Sequence, residues 1–241
     1  MEAKSEVIAK LQREILDLQG LRVPLDSELE DTGLGMINKA FPNHTFPVSA
    51  VHEFISHTKE EAAATTGFMT GLLKILMRKG VCLWVSTNRL TFPPGLKAFG
   101  ISPDQVIFVD VPSNKEGLWT IEEGLKCERL SAVVGDISNL SFVESRRLQL
   151  AVEKSHVTGL IHRSSTIPCS NSACVSRWHV QPLESIIEEG MPGVGYAKWR
   201  VELLKIRNGR PGIWQVGWTE QGFHIAAAQH SSAPSIIRKA G

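Results

Sequence analysis

Short, nearly unbroken apolar runs recur along this chain at VCLWVS (81–86), VIFVDV (106–111), LSAVVGDI (130–137) and VTGLIHRS (157–164), and they limit its fold more than any other feature. A strand with one wet face alternates apolar and polar residues, whereas a strand covered on both faces does not. The runs therefore predict parallel strands sandwiched between helices, preceded by a first strand at Val51 to Ser56. Helical stretches separate most of them. Glu60 to Lys79 carries a broad apolar surface and stops at Gly80, Thr120 to Lys126 supplies a short helix, and Ser141 to Ser155 supplies another. This alternation is the pattern of βαβ units in an α/β domain.

Beyond residue 175 the rhythm changes. Val175, Trp178 and Val180 mark a strand-like stretch, and KWRVELLKIRNGRPGIWQVGW (198–218) places two runs around Asn208 and Gly209, which predicts an antiparallel hairpin. The small and polar residues of HIAAAQHSSAPSIIRKAG (224–241) read as a loosely held tail. At the other end, Val7, Ile8, Leu11, Ile15 and Leu18 recur at three- and four-residue spacings, an amphipathic helix over residues 4–19 that Gly20 ends. Its apolar stripe must be buried, either on its own domain or on another chain. Pro24, Gly33, Gly35, Pro42 and Pro47 make 20–48 an irregular arm. The expected organisation is a helix and arm over 1–48, a core domain over 49–225, and a flexible tail over 226–241.

The charge balance excludes several function classes. A formal net charge of +1 supplies no overall basic field, so any nucleic-acid contact has to come from a local patch. The apolar runs are far shorter than the roughly 20 residues that span a bilayer, and the first 20 residues carry charges throughout, without an apolar signal core. A cytoplasmic protein without membrane partners is expected. Cys82 lies inside an apolar strand pattern and behaves as a small hydrophobe; only Cys169 and Cys174 are close, and no second Cys or His pair follows at zinc-finger spacing, so neither a disulfide nor a metal site is expected.

The order of these segments resembles the bacterial recombinase RecA and, more closely, the RecA-like ImuA family of damage-induced mutagenesis, which neighbours the SulA-like cell-division inhibitors. The residues that carry the resemblance are VHEFISH leading into AAATTGFMTGLLKILMRKG, VIFVDVPS followed by KEGLWTIEEGL, AVVGDIS, ESRRLQLAVEKSHVTGLIHRSS, and the terminal KWRVELLKIRNGRPGIWQVGW. It spans nearly the whole chain and rests on order and spacing rather than on one strict signature. It implies a RecA-like core: a mainly parallel sheet flanked by helices, with an antiparallel C-terminal hairpin and an N-terminal amphipathic helix.

The departure from the family lies at the phosphate loop. A working loop needs glycines so that successive N–H groups wrap a phosphate, a lysine at the helix start, and a Ser or Thr for magnesium. This chain has SHTKEEAAATT (56–66), with no glycine, a single lysine at Lys59, and Glu60 and Glu61 where a triphosphate would sit. Thr65 and Thr66 match the end of the family motif. By the same resemblance Glu116 matches the glutamate that activates water and Asp136 the carboxylate that supports magnesium; on residue type alone, Glu116 serves equally as a helix N-terminal acid and Asp136 as a cap. His162 and Arg163 stand where the family often places a polar γ-phosphate sensor. Lys59, Thr65, Thr66, Glu116 and Asp136 are thus read as a relict nucleotide site in a chain that is not an enzyme and needs no ATP or magnesium.

The two loops with which RecA holds single strands correspond here to residues 139–145, which is short, and 164–176, which has no lysine or arginine. Arg146, Arg147 and Arg163 are the DNA-contact candidates, with Arg177, Lys198, Arg200, Lys205, Arg207 and Arg210 as further cations that fit an exposed strand face equally well. The resemblance implies a non-catalytic adaptor of translesion DNA synthesis in the SOS response, binding a polymerase-related mutagenesis factor and RecA. Ile8, Leu11, Ile15 and Leu18 are its interface candidates, for RecA or for self-association into a homo-oligomer. The alternatives are a RecA-like ATPase with a rebuilt phosphate site, a single-stranded-DNA-binding repair protein, and a SulA-like division inhibitor. Of the tryptophans, Trp84 is read as core, and Trp214 and Trp218 either as exposed anchors or as packing beneath the hairpin.

Overall fold

The computed structural model describes residues 33–77, 80–88, 91–164, 171–186 and 195–226. The amphipathic segment 4–19, with Ile8, Leu11, Ile15 and Leu18, and most of the C-terminal tail lie outside the described residues.

The apolar runs form strands as expected: β1 (Val51–Ser56), β2 (Val81–Ser86), β3 (Val106–Asp110), β4 (Leu130–Ile137) and β5 (Thr158–Ser164). They are followed by β6 (Ser176–Ile186), β7 (Tyr196–Ile206), β8 (Gly212–Thr219) and β9 (Gly222–Ala226). All join one sheet in the order β3-β2-β4-β5-β1-β6-β7-β8-β9. Every pairing from β3 to β6 is parallel, and those from β6 to β9 are antiparallel. The chain is therefore an α/β protein with a mostly parallel sheet and an antiparallel C-terminal extension, as a RecA-like core requires.

Among the described residues three α-helices cover the sheet. On one face lies α1 (Lys59–Met77), whose Phe68, Leu72 and Leu73 are buried against Phe54, Trp84, Val134, Trp178 and Trp199. On the other lie α2 (Asn114–Leu125) and α3 (Phe142–Ser155), whose Ile121, Leu125, Leu148 and Val152 pack on Val51, Val85, Val133 and Ile161. All six residues of β1 are buried, in agreement with a strand covered on both sides. Gly71 of α1 permits a close approach: a Cβ there would stand 2.6 Å from Phe223 Cζ and 2.9 Å from Trp218 Cζ3. Trp214 and Trp218 are buried, which resolves their two readings in favour of packing.

Four local expectations change. The segment Thr120–Lys126 starts its helix earlier, at Asn114, because Ser113 Oγ accepts the Glu116 N–H and caps it. The strand-like stretch at Val175 to Val180 becomes an eleven-residue strand, β6, whose first half pairs in parallel with β1 and whose whole length pairs antiparallel with β7. The first residues of the tail expected from residue 224 belong to β9, which pairs with β8 and packs Phe223 against Phe68 and Trp218. Within the arm, two 3₁₀ turns, Gly35–Ala40 and Pro42–His44, bring Leu34, Ile37, Phe41 and Phe46 into the same core as α1.

Candidate functional site

Relatives with a phosphate loop would place it between β1 and α1, at the C-terminal edge of the parallel strands. Here residues 57 and 58 make that connection, and Thr58 and Glu61 close it with a side-chain cap at each side of the helix start. The Glu61 N–H donates to Thr58 Oγ1 at 3.2 Å, and Glu61 Oε2 accepts the His57 N–H at 2.7 Å. The same carboxylate faces β6: His179 Nε2 stands 3.1 Å from Oε2, and Gln181 Nε2 donates to Oε1 at 3.2 Å. Burial pushes the Glu61 carboxyl up, but the His57 N–H, His179 and Gln181 together outweigh it and hold the group below the usual carboxylate range. Gln181 passes the network to β7, accepting from Arg200 Nη1 at 2.9 Å, while Arg200 also meets Glu202 at 2.8 Å.

The candidate nucleotide residues do not converge on this point. Lys59 is exposed at the first turn. Thr65 and Thr66 lie six and seven residues beyond the helix start at Lys59, about 9 Å along its axis at 1.5 Å per residue. Thr65 is fully buried with no partner for its hydroxyl among the described residues, and the Thr66 carbonyl accepts from Thr70 Oγ1. Glu116 is an exposed acid in the first turn of α2. Asp136, near the end of β4, has a partly buried carboxylate turned to a histidine: its Oδ1 stands 3.2 Å from His162 Nδ1, and His162 Nε2 lies 2.8 Å from Ser56 Oγ. Register explains the meeting, since Asp136 and His162 are cross-strand partners on β4 and β5 and Ser56 ends the next strand over. A Ser–His–Asp sequence of contacts has the order used in nucleophilic catalysis, but Ser56 is wholly buried and presents no hydroxyl to a substrate. The chain of contacts fastens three strand ends together.

The cations grouped as DNA-contact candidates also divide. Arg146 is exposed on α3; Arg147 is exposed too, with its guanidinium 2.5 Å from Glu122. Arg163 is buried, and its Nη1 donates to Glu53 Oε1 at 2.6 Å. Glu53, itself fully buried, also accepts from Arg177 at 2.8 Å and from Ser172 Oγ at 2.6 Å. Lys205 and Arg207 donate to the carbonyls of Ser172 and Ala173. Arg163 is therefore committed to Glu53 rather than presented to solvent, and with it Arg177, Lys205 and Arg207 pin residues 171–174 to the sheet.

Over 199 aligned residues the chain is 32% identical to Protein ImuA of Caulobacter vibrioides, in each of two strains, covering 77% of this chain and 82% of that protein. The chain belongs to the ImuA family. No family model matches it. In this ImuA-family chain, the carboxylate of Glu61 sits on the loop N–H where a RecA-like fold would otherwise present that group to an anion. No helix among the described residues is long and apolar enough to cross a membrane.

Proposed function

We propose that this chain is a non-catalytic RecA-like adaptor of damage-induced mutagenesis, joining a polymerase-related mutagenesis factor and RecA. Membership of the ImuA family supports the setting, and the internal engagement of the nucleotide site supports the absence of turnover. Glu61 occupies the loop N–H that an anion needs, and Asp136 is engaged with His162 at 3.2 Å. A triphosphate would have to displace a bound carboxylate and meet Glu60 beside it, and like charges oppose that. The residues present do not fit ATP with magnesium, so the scaffold serves interaction alone.

Calorimetry and thermal unfolding with magnesium and ATP test the reading. Neither heat nor a change in Tm is expected. A ligand at a hundred times its Kd would add about 2.7 kcal/mol of stability, so a rise in Tm of several degrees, abolished by Lys59→Ala, would restore the ATPase alternative. For the partners, Leu11→Asp with Ile15→Asp is expected to abolish co-purification with RecA or self-association while leaving the Tm of the core unchanged. Undiminished association would remove that stripe as the contact.

A further inference from the structure

Between α2 and α3 runs a cleft of about 260 Å³ that none of the preceding functions uses. Its floor is apolar, made by Leu118 and Leu148, and one wall is the ring of Trp119. Trp119 is 64% exposed, whereas Trp84, Trp178, Trp199, Trp214 and Trp218 are each 9% exposed or less. A large ring held open to water beside a ready groove departs from the way this chain treats its other tryptophans, and such rings are enriched where partners anchor. The apolar surface continues along the solvent edge of α3, where Val143 is 69% and Leu150 46% exposed, one turn to either side of Arg146 and Arg147.

The charges around the cleft are not balanced. Its two carboxylates are already engaged: Glu122 meets Lys126 and Arg147, and Glu144 Oε2 accepts the Ser141 N–H in the capping box that starts α3. Its cation Lys115 and the neighbouring Arg146 are exposed and have no acidic partner among the described residues. Glu116 and Glu123 lie on the adjacent stripe of α2, away from the row formed by Lys115, Leu118, Trp119 and Glu122. An apolar slot beside unmatched cations suits a ligand that brings both an apolar side chain and negative charge.

We infer that the cleft between α2 and α3 is a docking site for a short acidic segment of a partner protein, with one large apolar side chain seated between Trp119, Leu118 and Leu148. The inference rests on the adaptor reading only in making the occupant a protein. The acidic flanks meet Lys115 and Arg146, and the apolar side chain enters between the two helices in the manner of other groove binders.

Trp119 makes the site observable, because it alone of the tryptophans is open to a soluble quencher. The full chain is titrated with a synthetic peptide holding a leucine pair between aspartates, following acrylamide quenching and, with a labelled peptide, anisotropy. Saturable binding that shields Trp119 is expected. Lys115→Glu with Arg146→Glu should weaken it by roughly tenfold or more, the size of a typical anchoring contact, and Trp119→Ala should weaken it similarly. A peptide with lysines in place of the aspartates should not bind. The inference is overturned if Trp119 stays quenchable at peptide saturation, if the lysine peptide binds as well, if the charge-reversed chain binds unchanged, or if a single-stranded oligonucleotide competes fully, which would mark a merely electrostatic surface. Peptide binding by a chain that captures no polymerase-related factor would refute the adaptor reading and leave the cleft standing; capture undiminished by Trp119→Ala and the charge reversals would do the opposite.

Discussion

Acid should weaken this fold through one buried imidazole. His52 is fully buried at β1, stacked 4.4 Å from Phe46. Its Nε2 lies 2.7 Å from the Pro47 carbonyl, which can only accept, so the proton sits on Nε2. Its Nδ1, 2.6 Å from Ser176 Oγ, accepts the serine proton, and Ser176 Oγ in turn accepts from Trp178 Nε1 at 2.7 Å. A second ring proton would force Ser176 to turn its hydroxyl and accept from Nδ1 as well as from Trp178 Nε1, which takes the serine proton away from the acceptor it now uses. Burial, only partly opposed by the Pro47 carbonyl, lowers the pKa from 6.5 to about 4. Below 6.5 the unfolded chain therefore takes up a proton that the folded chain refuses, and stability falls as pH drops through the interval down to about 4. At about 1.36 kcal/mol for each pH unit the interval amounts to roughly 3 kcal/mol, a large part of the 5–15 kcal/mol that typically holds a domain together. Urea unfolding of the wild type and of His52→Gln, from about pH 7 to about pH 4, measures it. Gln keeps a donor and an acceptor but does not titrate. The stability difference between the two proteins should shrink by roughly 3 kcal/mol towards the acid end; parallel profiles would refute the assignment of His52 as a neutral, sealed imidazole.

Three further outcomes follow from the packing and the ion pairs. Glu53→Gln leaves Arg163 and Arg177 in the interior without their carboxylate and should cost about 3–5 kcal/mol in denaturant unfolding, with residues 171–174 becoming more open to proteolysis; a loss under about 1 kcal/mol would mean that water already reaches the site. Gly71→Val drives a side chain into Phe223 and Trp218 and should lower stability by about 1–3 kcal/mol, read as a fall in Tm with red-shifted tryptophan emission. Glu61→Ala removes the acceptor for the His57 N–H and should destabilise by about 1–3 kcal/mol. Because the Glu61 carboxyl is held low, its contribution is present above the unfolded-state pKa and lost as pH falls through the folded-state value, so the gap between wild type and Glu61→Ala should narrow in acid.

The parallel strands were legible because two-sided burial writes itself as continuous apolar sequence, and α1 because alanines and large apolar residues fill its whole length. What escaped was non-local or polar. The first turn of α2, Asn114 to Gly117, has almost no apolar signal; its mark is Ser113 three residues before Glu116, a cap visible only once one searches for it. Pairing of β6 with β1 depends on register between distant segments, and β9 is only five residues long. At the site, Thr58 and Glu61 have the spacing of a capping box, although the Glu61 carboxylate takes the His57 N–H rather than that of Thr58. That Gln181, 120 residues away, would complete the carboxylate's shell was not legible in that spacing. Arg163 looked like a surface cation until Glu53, 110 residues earlier, proved to be buried beside it.

The position of β6 has a consequence for how such a chain can be shortened. Among the described strands it alone touches both the parallel half of the sheet and the antiparallel extension, and it carries Trp178, which stacks on Phe54 of β1. A version ending after β5 would turn β1 into an unprotected rim, with a row of bare amides and the Phe54 ring uncovered, the arrangement from which chains stick to one another. The last third of the molecule is thus no detachable ornament: the parallel half needs it to remain dispersed in water, and any trimming compatible with solubility has to begin beyond β6.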